Sequence, residues 1–210
     1  MADQPQQQAV ASPPAPWRLQ GQIWTGCYDV GTHLALPDGL TSLLNPNWLI
    51  LIVGRYLAGT LRYDELIIGA LVRRGLRVGI HFHAIWVDDE VSLWGGRYIW
   101  GIPKELATFT WNADTVQITD ERGLIVTLTV NAHAARAPWL WMPAPGFFGF
   151  QDGRCLYTLT RTHARVGTSR IYVAEWSSRF AYRVTGTPLF GFAANPMHIT
   201  VPPPKVLASG

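Results

Sequence analysis

From Trp17 onwards, apolar residues either alternate with polar ones or fall in short runs separated by Gly, Pro, Asn and Asp. This is the pattern of β-strands, whose side chains repeat with a period of two. Strands are predicted over residues 23–30, 48–55, 65–72 and 76–87, the last ending at the acidic turn Asp88-Asp89-Glu90. A turn or short helical segment is expected around residues 38–44. Residues 91–100 lose the alternation and are read as a short helix, stopped by Gly101-Ile102-Pro103. Residues 106–112, 115–120 and 124–132 alternate again, and Asp120-Glu121-Arg122-Gly123 reads as a hairpin turn. Residues 138–150 form an aromatic loop rich in Pro and Gly, and two further strands are predicted at 155–164 and 170–176. A Pro-rich terminal segment follows. Many short strands with turn signals point to a mostly β fold with minor α, an antiparallel barrel or sandwich.

Composition narrows this further. A chain of 210 residues suits one β-rich domain, here residues 16–210, behind a polar, Pro-rich leader (1–15) expected to be disordered. With 48% hydrophobic residues and ten tryptophans there is enough apolar material for a large core and also for a cavity or a subunit interface. The net charge is only +3, and the densest basic group, Arg73, Arg74 and Arg77, is too small for a nucleic-acid footprint. The leader lacks the charged and apolar regions of a secretion signal, and the longest apolar run, 48–53, is too short to cross a bilayer. A soluble cytoplasmic protein with no membrane or nucleic-acid partner is expected. Cys27 and Cys155 lack metal-ligand spacing, and nothing about them requires an oxidising compartment.

The chemistry centres on lysine. The chain has fifteen arginines but only two lysines, Lys104 in Trp100-Gly-Ile-Pro-Lys104-Glu105-Leu106 and Lys205 near the C-terminus. Arginine cannot deprotonate in a protein, whereas a deprotonated lysine amine is a nucleophile towards ketones. A lysine of ordinary pKa is less than about one part in a thousand neutral at pH 7, so activation asks for roughly 4 kcal/mol. Desolvation and neighbouring cations can supply it. A salt-bridging lysine spared by a bias towards arginine is the alternative.

The segment Gly95-Gly96-Arg97-Tyr98-Ile99-Trp100-Gly101-Ile102-Pro103-Lys104-Glu105-Leu106 resembles the active-site region of the acetoacetate decarboxylase superfamily. There a Pro-Lys element carries the lysine that forms a Schiff base with the substrate ketone. Tyr63-Asp64-Glu65-Leu66 is similar to the family's Tyr-x-Glu segment, and the opening Pro13-Pro14-Ala15-Pro16-Trp17-Arg18-Leu19 resembles the start of many such sequences. The resemblance implies an antiparallel, cone-like β-barrel with an apolar pocket, usually in homo-oligomers. It implies a small-molecule carbonyl substrate and covalent lyase chemistry that needs no cofactor and no metal, with Lys104 as nucleophile and Glu65 as proton-transfer group. Trp94, Trp100, Trp139, Trp141, Phe147 and Phe148 are expected in the dry wall of the pocket, with Tyr63, His83 and Arg97 also lining it. Arg97 is expected to hold the lysine loop by ion pairs to Asp88, Asp89 or Glu90.

The chain departs from the decarboxylase pattern in three places. Glu105 follows the nucleophile where the decarboxylases have a second lysine, although alternation should point it away from Lys104. The family's arginine falls at about Gln20 or Gly21, and its other glutamate falls near Ile50. These changes point away from acetoacetate and towards a larger, more apolar carbonyl compound, with decarboxylation, aldol–dehydration and cyclisation all open. Two other readings stand beside this one. His81 and His83, with His133 or Glu65, would make a metal site. The same fold would otherwise bind an apolar ligand, or catalyse noncovalently, without an imine.

Overall fold

The structure, a computed structural model, describes residues 11–132, 138–142 and 145–208. The first half of the chain forms β1 (Trp17–Asp29), β2 (Thr41–Ser42), β3 (Trp48–Gly59), β4 (Tyr63–Arg74) and β5 (Arg77–Val87). Then come the helix α1 (Glu90–Trp100) and the strands β6 (Lys104–Leu106), β7 (Thr108–Asn112), β8 (Thr115–Asp120) and β9 (Gly123–Ala132). The remainder holds β10 (Leu140–Met142), β11 (Gly146–Gln151), β12 (Arg154–Thr158), β13 (Arg161–Trp176), β14 (Phe190–Val201) and β15 (Lys205–Leu207).

All fifteen strands belong to one sheet, ordered β15-β12-β11-β5-β4-β3-β1-β14-β13-β9-β8-β7, with β2, β6 and β10 pairing beside this path. The order is open: β15 and β7 are its ends, so hydrogen bonding does not close the expected barrel. Nor is pairing wholly antiparallel, because β6 and β11 both run parallel to β5. The helical segment between β5 and β6 makes that possible, since parallel neighbours need a crossover.

Three sequence expectations change. The strands predicted at 155–164 and 170–176 divide differently, β12 ending at Thr158 and β13 running unbroken from Arg161 to Trp176. The terminal segment contains β14, which bridges β1 and β13 in mid-sheet. Finally, the end of the leader is bound: Ser12 Oγ donates to the Val91 carbonyl at 2.8 Å, and Ala15 packs against the apolar cluster that contains Trp17 and Trp100. Residues 1–10 lie outside the described residues. Asp38 and Gly39 form the turn expected near residue 40, without a helix.

One sheet face carries the main core. Leu49, Leu51, Val53, Leu66, Ile68 and Trp86 from one half meet Val116, Ile118, Val126, Leu128 and Ile171 from the other. The opposite face is covered by α1, which begins where Asp89 caps the Ser92 amide at 2.6 Å and ends at Gly101 in the left-handed conformation (φ 63°). Two adjacent glycines let this helix come close. A Cβ on Gly95 would lie 2.4 Å from the Trp17 ring, and one on Gly96 would lie 2.6 Å from the Lys104 side chain. Trp17 is 1% exposed, meets the Trp100 ring edge-on at 4.7 Å and donates from its indole to the Pro13 carbonyl. The leader and the helix therefore lock together through one aromatic side chain. Trp17→Ala is expected to lower unfolding stability by about 3–5 kcal/mol, the usual cost of emptying a site that held a buried aromatic ring; a urea melt of the variant against the parent measures it.

Candidate active site

Period-two alternation places Tyr63, Glu65 and Ile67 on the face of β4 that looks at α1. Register brings Glu65 opposite Val87 on β5, and Ile85 opposite Lys104 on β6. The Pro103–Lys104 step after the helix thus returns the chain to the sheet with the lysine side chain under α1. Only 3% of Lys104 is exposed, and its stem crosses the bare backbone of Gly96.

At the end of that stem, Lys104 Nζ lies 2.9 Å from Glu65 Oε2 and 2.9 Å from Ser92 Oγ, with the Tyr63 ring centroid at 4.8 Å. Glu65 is 6% exposed and accepts a second hydrogen bond, at 3.3 Å, from the Tyr56 hydroxyl on its other oxygen. Gly54, opposite Glu65 in the register, leaves room for the Tyr56 ring, and the Tyr56 and Tyr63 rings sit 4.7 Å apart. Burial, reinforced by the charge of Glu65, drives both tyrosine hydroxyls well above the ordinary tyrosine range, so they stay protonated donors. Leu19, Val87, Leu93, Ala164, Ala194 and Met197 make the apolar surroundings of the tyrosine pair.

An amine and a carboxyl group at 2.9 Å share one proton in either of two ways. Ammonium with carboxylate and amine with carboxylic acid differ by a transfer along a hydrogen bond already made. The site holds a lysine amine and a carboxyl group in contact, both buried.

The other expected site residues divide. Glu105 points away as alternation requires and pairs with Arg122 at 2.6 Å on the surface. Arg97 does hold the lysine loop, but through the Lys104 carbonyl, to which Nε donates at 2.7 Å, and not through the acidic turn. Its guanidinium lies 5.4 Å from the ring of Trp94, which is half-buried beside the tyrosine cluster and stacked on Tyr98. Trp100 and Phe147 belong with Ile67, Phe82, Ile85 and Ile102 to an apolar cluster under the end of the helix. Phe148 turns instead to the main core. Trp139 and Trp141 are not in a dry wall: they are 39% and 74% exposed and lie against His163, whose neighbour Ala164 faces the tyrosine cluster. The aromatic loop expected at residues 138–150 is divided instead, β10 pairing with β13 and β11 with β5. Sequence reasoning does not single out Ser92 or Tyr56, and it assigns Gly96 no role of its own. A serine four residues before a glycine on one helix face, and tyrosines flanking the β3–β4 turn, are visible in the sequence only after the pairing is known.

His81 and His83 do share a neighbourhood, ring centroids 5.0 Å apart, but Glu65 is engaged by Lys104 and His133 lies outside the described residues. Among the described residues, no group of three or more His, Cys, Asp or Glu comes together. Cys27 and Cys155 are both buried and free.

The acetoacetate decarboxylase family model matches residues 32–172, well over half of the chain. The chain belongs to the acetoacetate decarboxylase family. Its fold is shared with solved members and relatives. Acetoacetate decarboxylase from Legionella pneumophila aligns with a TM-score of 0.66 at 16% identity, covering 98% of this chain and 92% of that one. The enduracididine biosynthesis enzyme MppR, solved with pyruvate, aligns at 0.65 and 14% identity over 97% and 95%. An acetoacetate decarboxylase-like enzyme from Sphingomonas wittichii aligns at 0.65 and 15% identity over 96% of each chain. No curated protein matches the sequence. The family match covers Tyr63-x-Glu65 and Pro103-Lys104, the two segments that the fold brings into contact. No helix among the described residues is long and apolar enough to cross a membrane.

Two measurements test this geometry. Glu65→Leu and Lys104→Met should each cost about 3–5 kcal/mol by stranding a buried charge, while the double variant should return to within about 1–2 kcal/mol of the parent. Chemical denaturation of the four proteins closes that cycle. Burial, with a smaller push from His83, holds His81 down at about 4. Between pH 6.5 and 4 the unfolded chain takes up a proton that folded His81 refuses, so stability present above this window is lost as pH falls. The unfolding free energy of the parent, read from urea melts, should therefore drop relative to that of His81→Phe between pH 7 and pH 4.5, by on the order of 1–2 kcal/mol.

Proposed function

We propose that this protein is a cofactor-free Schiff-base lyase acting through Lys104 on an apolar β-keto acid or ketone. The observation that carries the reading is the buried contact of Lys104 Nζ with Glu65 Oε2 at 2.9 Å. Proton transfer to Glu65 leaves an amine whose lone pair attacks the carbonyl carbon; loss of water then gives an iminium. The iminium is an electron sink for the pair released by a departing carboxylate, by a broken C–C bond or by a neighbouring C–H. Glu65 is the group that delivers or removes the proton at the enamine carbon.

The surroundings support an apolar substrate. Tyr56, Tyr63, Leu93 and Met197 offer ring and aliphatic surface, and the two tyrosine hydroxyls are neutral donors. At the positions that correspond to the family's arginine, Gln20 is exposed, and Gly21 has no room for a side chain because the Arg55 carbonyl oxygen would lie 1.9 Å from a Cβ. Whether the iminium leads to decarboxylation, aldol–dehydration or cyclisation depends on the substrate. Association into homo-oligomers and a cytoplasmic location are part of the same proposal.

Borohydride trapping with a panel of β-keto acids, ketones and aldehydes, read by intact mass and peptide mapping, is the direct test. A reduced adduct is expected on Lys104 and absent from Lys104→Ala. Lys205 is exposed and serves as an internal control for nonspecific labelling. Failure of every carbonyl compound to label Lys104 would transfer the reading to ligand binding or noncovalent catalysis on the same fold.

A further inference from the structure

Among the described residues, the lysine nitrogen has three neighbours: the Glu65 carboxylate, the Tyr63 ring face and the Ser92 hydroxyl. They differ in what they can do when the nitrogen changes state. An ammonium offers three donors and no acceptor; a neutral amine offers two donors and one lone pair. The ring face only receives positive charge. Of these three groups, Ser92 carries both a donor and acceptor lone pairs irrespective of its own ionisation, and its hydroxyl also bonds the Tyr63 hydroxyl. Ser92 is 0% exposed.

Ser92 is also held in place by the backbone. It lies in the first turn of α1, where the Asp89 side chain accepts from its amide at 2.6 Å, so the capped helix end fixes its Cβ. Gly96 lies four residues on, on the same helix face, and the lysine stem passes over it. One helix face therefore guides the stem with a missing side chain and meets the nitrogen with a hydroxyl.

We propose that Ser92 is a catalytic residue, the proton relay between nitrogen and oxygen during carbinolamine formation. This rests on the Lys104 imine reading. The amine lone pair bonds to the carbonyl carbon and the C=O π pair moves to oxygen, leaving positive nitrogen beside an alkoxide. Ser92 Oγ accepts a proton from that nitrogen while its own hydrogen passes to the alkoxide, giving a neutral carbinolamine and an unchanged serine. The nitrogen lone pair then expels the hydroxyl, which leaves as water with the proton held by Glu65. The sum is amine, ketone and carboxylic acid giving iminium, water and carboxylate.

The test compares two electrophiles on the full-length protein. Acetylacetone, a β-diketone, must pass through a carbinolamine to label an amine; acrylonitrile adds to the same amine without one. Ser92→Ala removes the hydroxyl and keeps a good helix former at that position. Labelling of Lys104 is followed by mass spectrometry under identical conditions for parent and variant. The expected result is a loss on the order of a hundredfold in the acetylacetone rate, the usual size of a general acid–base contribution, with the acrylonitrile rate unchanged within about twofold. An equal fall in both rates would assign Ser92 a purely structural role and overturn the relay. An unchanged acetylacetone rate would overturn it too, leaving the Lys104 reading intact. Acrylonitrile labelling of the parent without any acetylacetone adduct would instead remove the imine reading, and the relay with it.

Discussion

Two opposite charges, taken out of water together, set the terms for everything around them. Transferring an ammonium or a carboxylate to the interior costs several kcal/mol each, and attraction across 2.9 Å repays this only when the remaining donors and lone pairs are also satisfied. Here they are. Glu65 has Tyr56 on its second oxygen, and Lys104 has Ser92 and the face of Tyr63. The five residues come from four elements: Tyr56 from β3, Tyr63 and Glu65 from β4, Lys104 from β6 and Ser92 from α1. The pair therefore requires the sheet register and the helix position to be right at the same time.

The helix position is set by the absence of atoms. A side chain at Gly96 would occupy the path of the lysine stem, and one at Gly95 would displace Trp17. Packing on one side of the helix is tied to packing on the other, because Trp17 joins the leader, the helix and Trp100. Arg97 completes the arrangement from outside by binding the Lys104 carbonyl, so the backbone that carries Lys104 is tethered to the helix that covers it. This is how the one helix among the described residues comes to define the site.

Much of this could be read from the residues before any coordinates. Alternation located β3, β4, β5, β8 and β9, and the Gly101-Ile102-Pro103 break located the end of α1. The opposite orientations of Lys104 and Glu105 also follow from alternation, and the Arg122 pair bears that out. Long-range pairing was less legible. The strand β14 contains Asn195 and Pro196 and reads as loop by propensity, yet it lies in mid-sheet because β1 and β13 need a partner between them. Tyr56 meets Glu65 only through the β3–β4 register, and Ser92 meets Lys104 only after α1 folds over β6. The aromatic loop misled for the same reason: a cluster of rings in sequence says nothing about which sheet face each ring reaches.

Electrostatics of the enclosure bear on substrate class under the proposed mechanism. In its ion-paired form the site already carries one carboxylate at the nitrogen, and the nearby arginines are occupied elsewhere, Arg55 by Asp64 and Trp111, Arg97 by the Lys104 carbonyl. A substrate carboxylate placed about 5 Å from Glu65 meets a repulsion of roughly 3 kcal/mol at an effective dielectric constant of about 20, and the Lys104 ammonium beside Glu65 returns an attraction of similar size. The two largely cancel, so an anionic substrate loses its hydration without gaining a net charge partner. A neutral ketone avoids that desolvation cost and gains from Leu93, Met197 and the tyrosine rings. An anionic β-keto acid can still react if its carboxylate points away from Glu65 and leaves as carbon dioxide. The geometry thus favours substrates whose reacting carbonyl is deep and whose charge, where there is any, is remote.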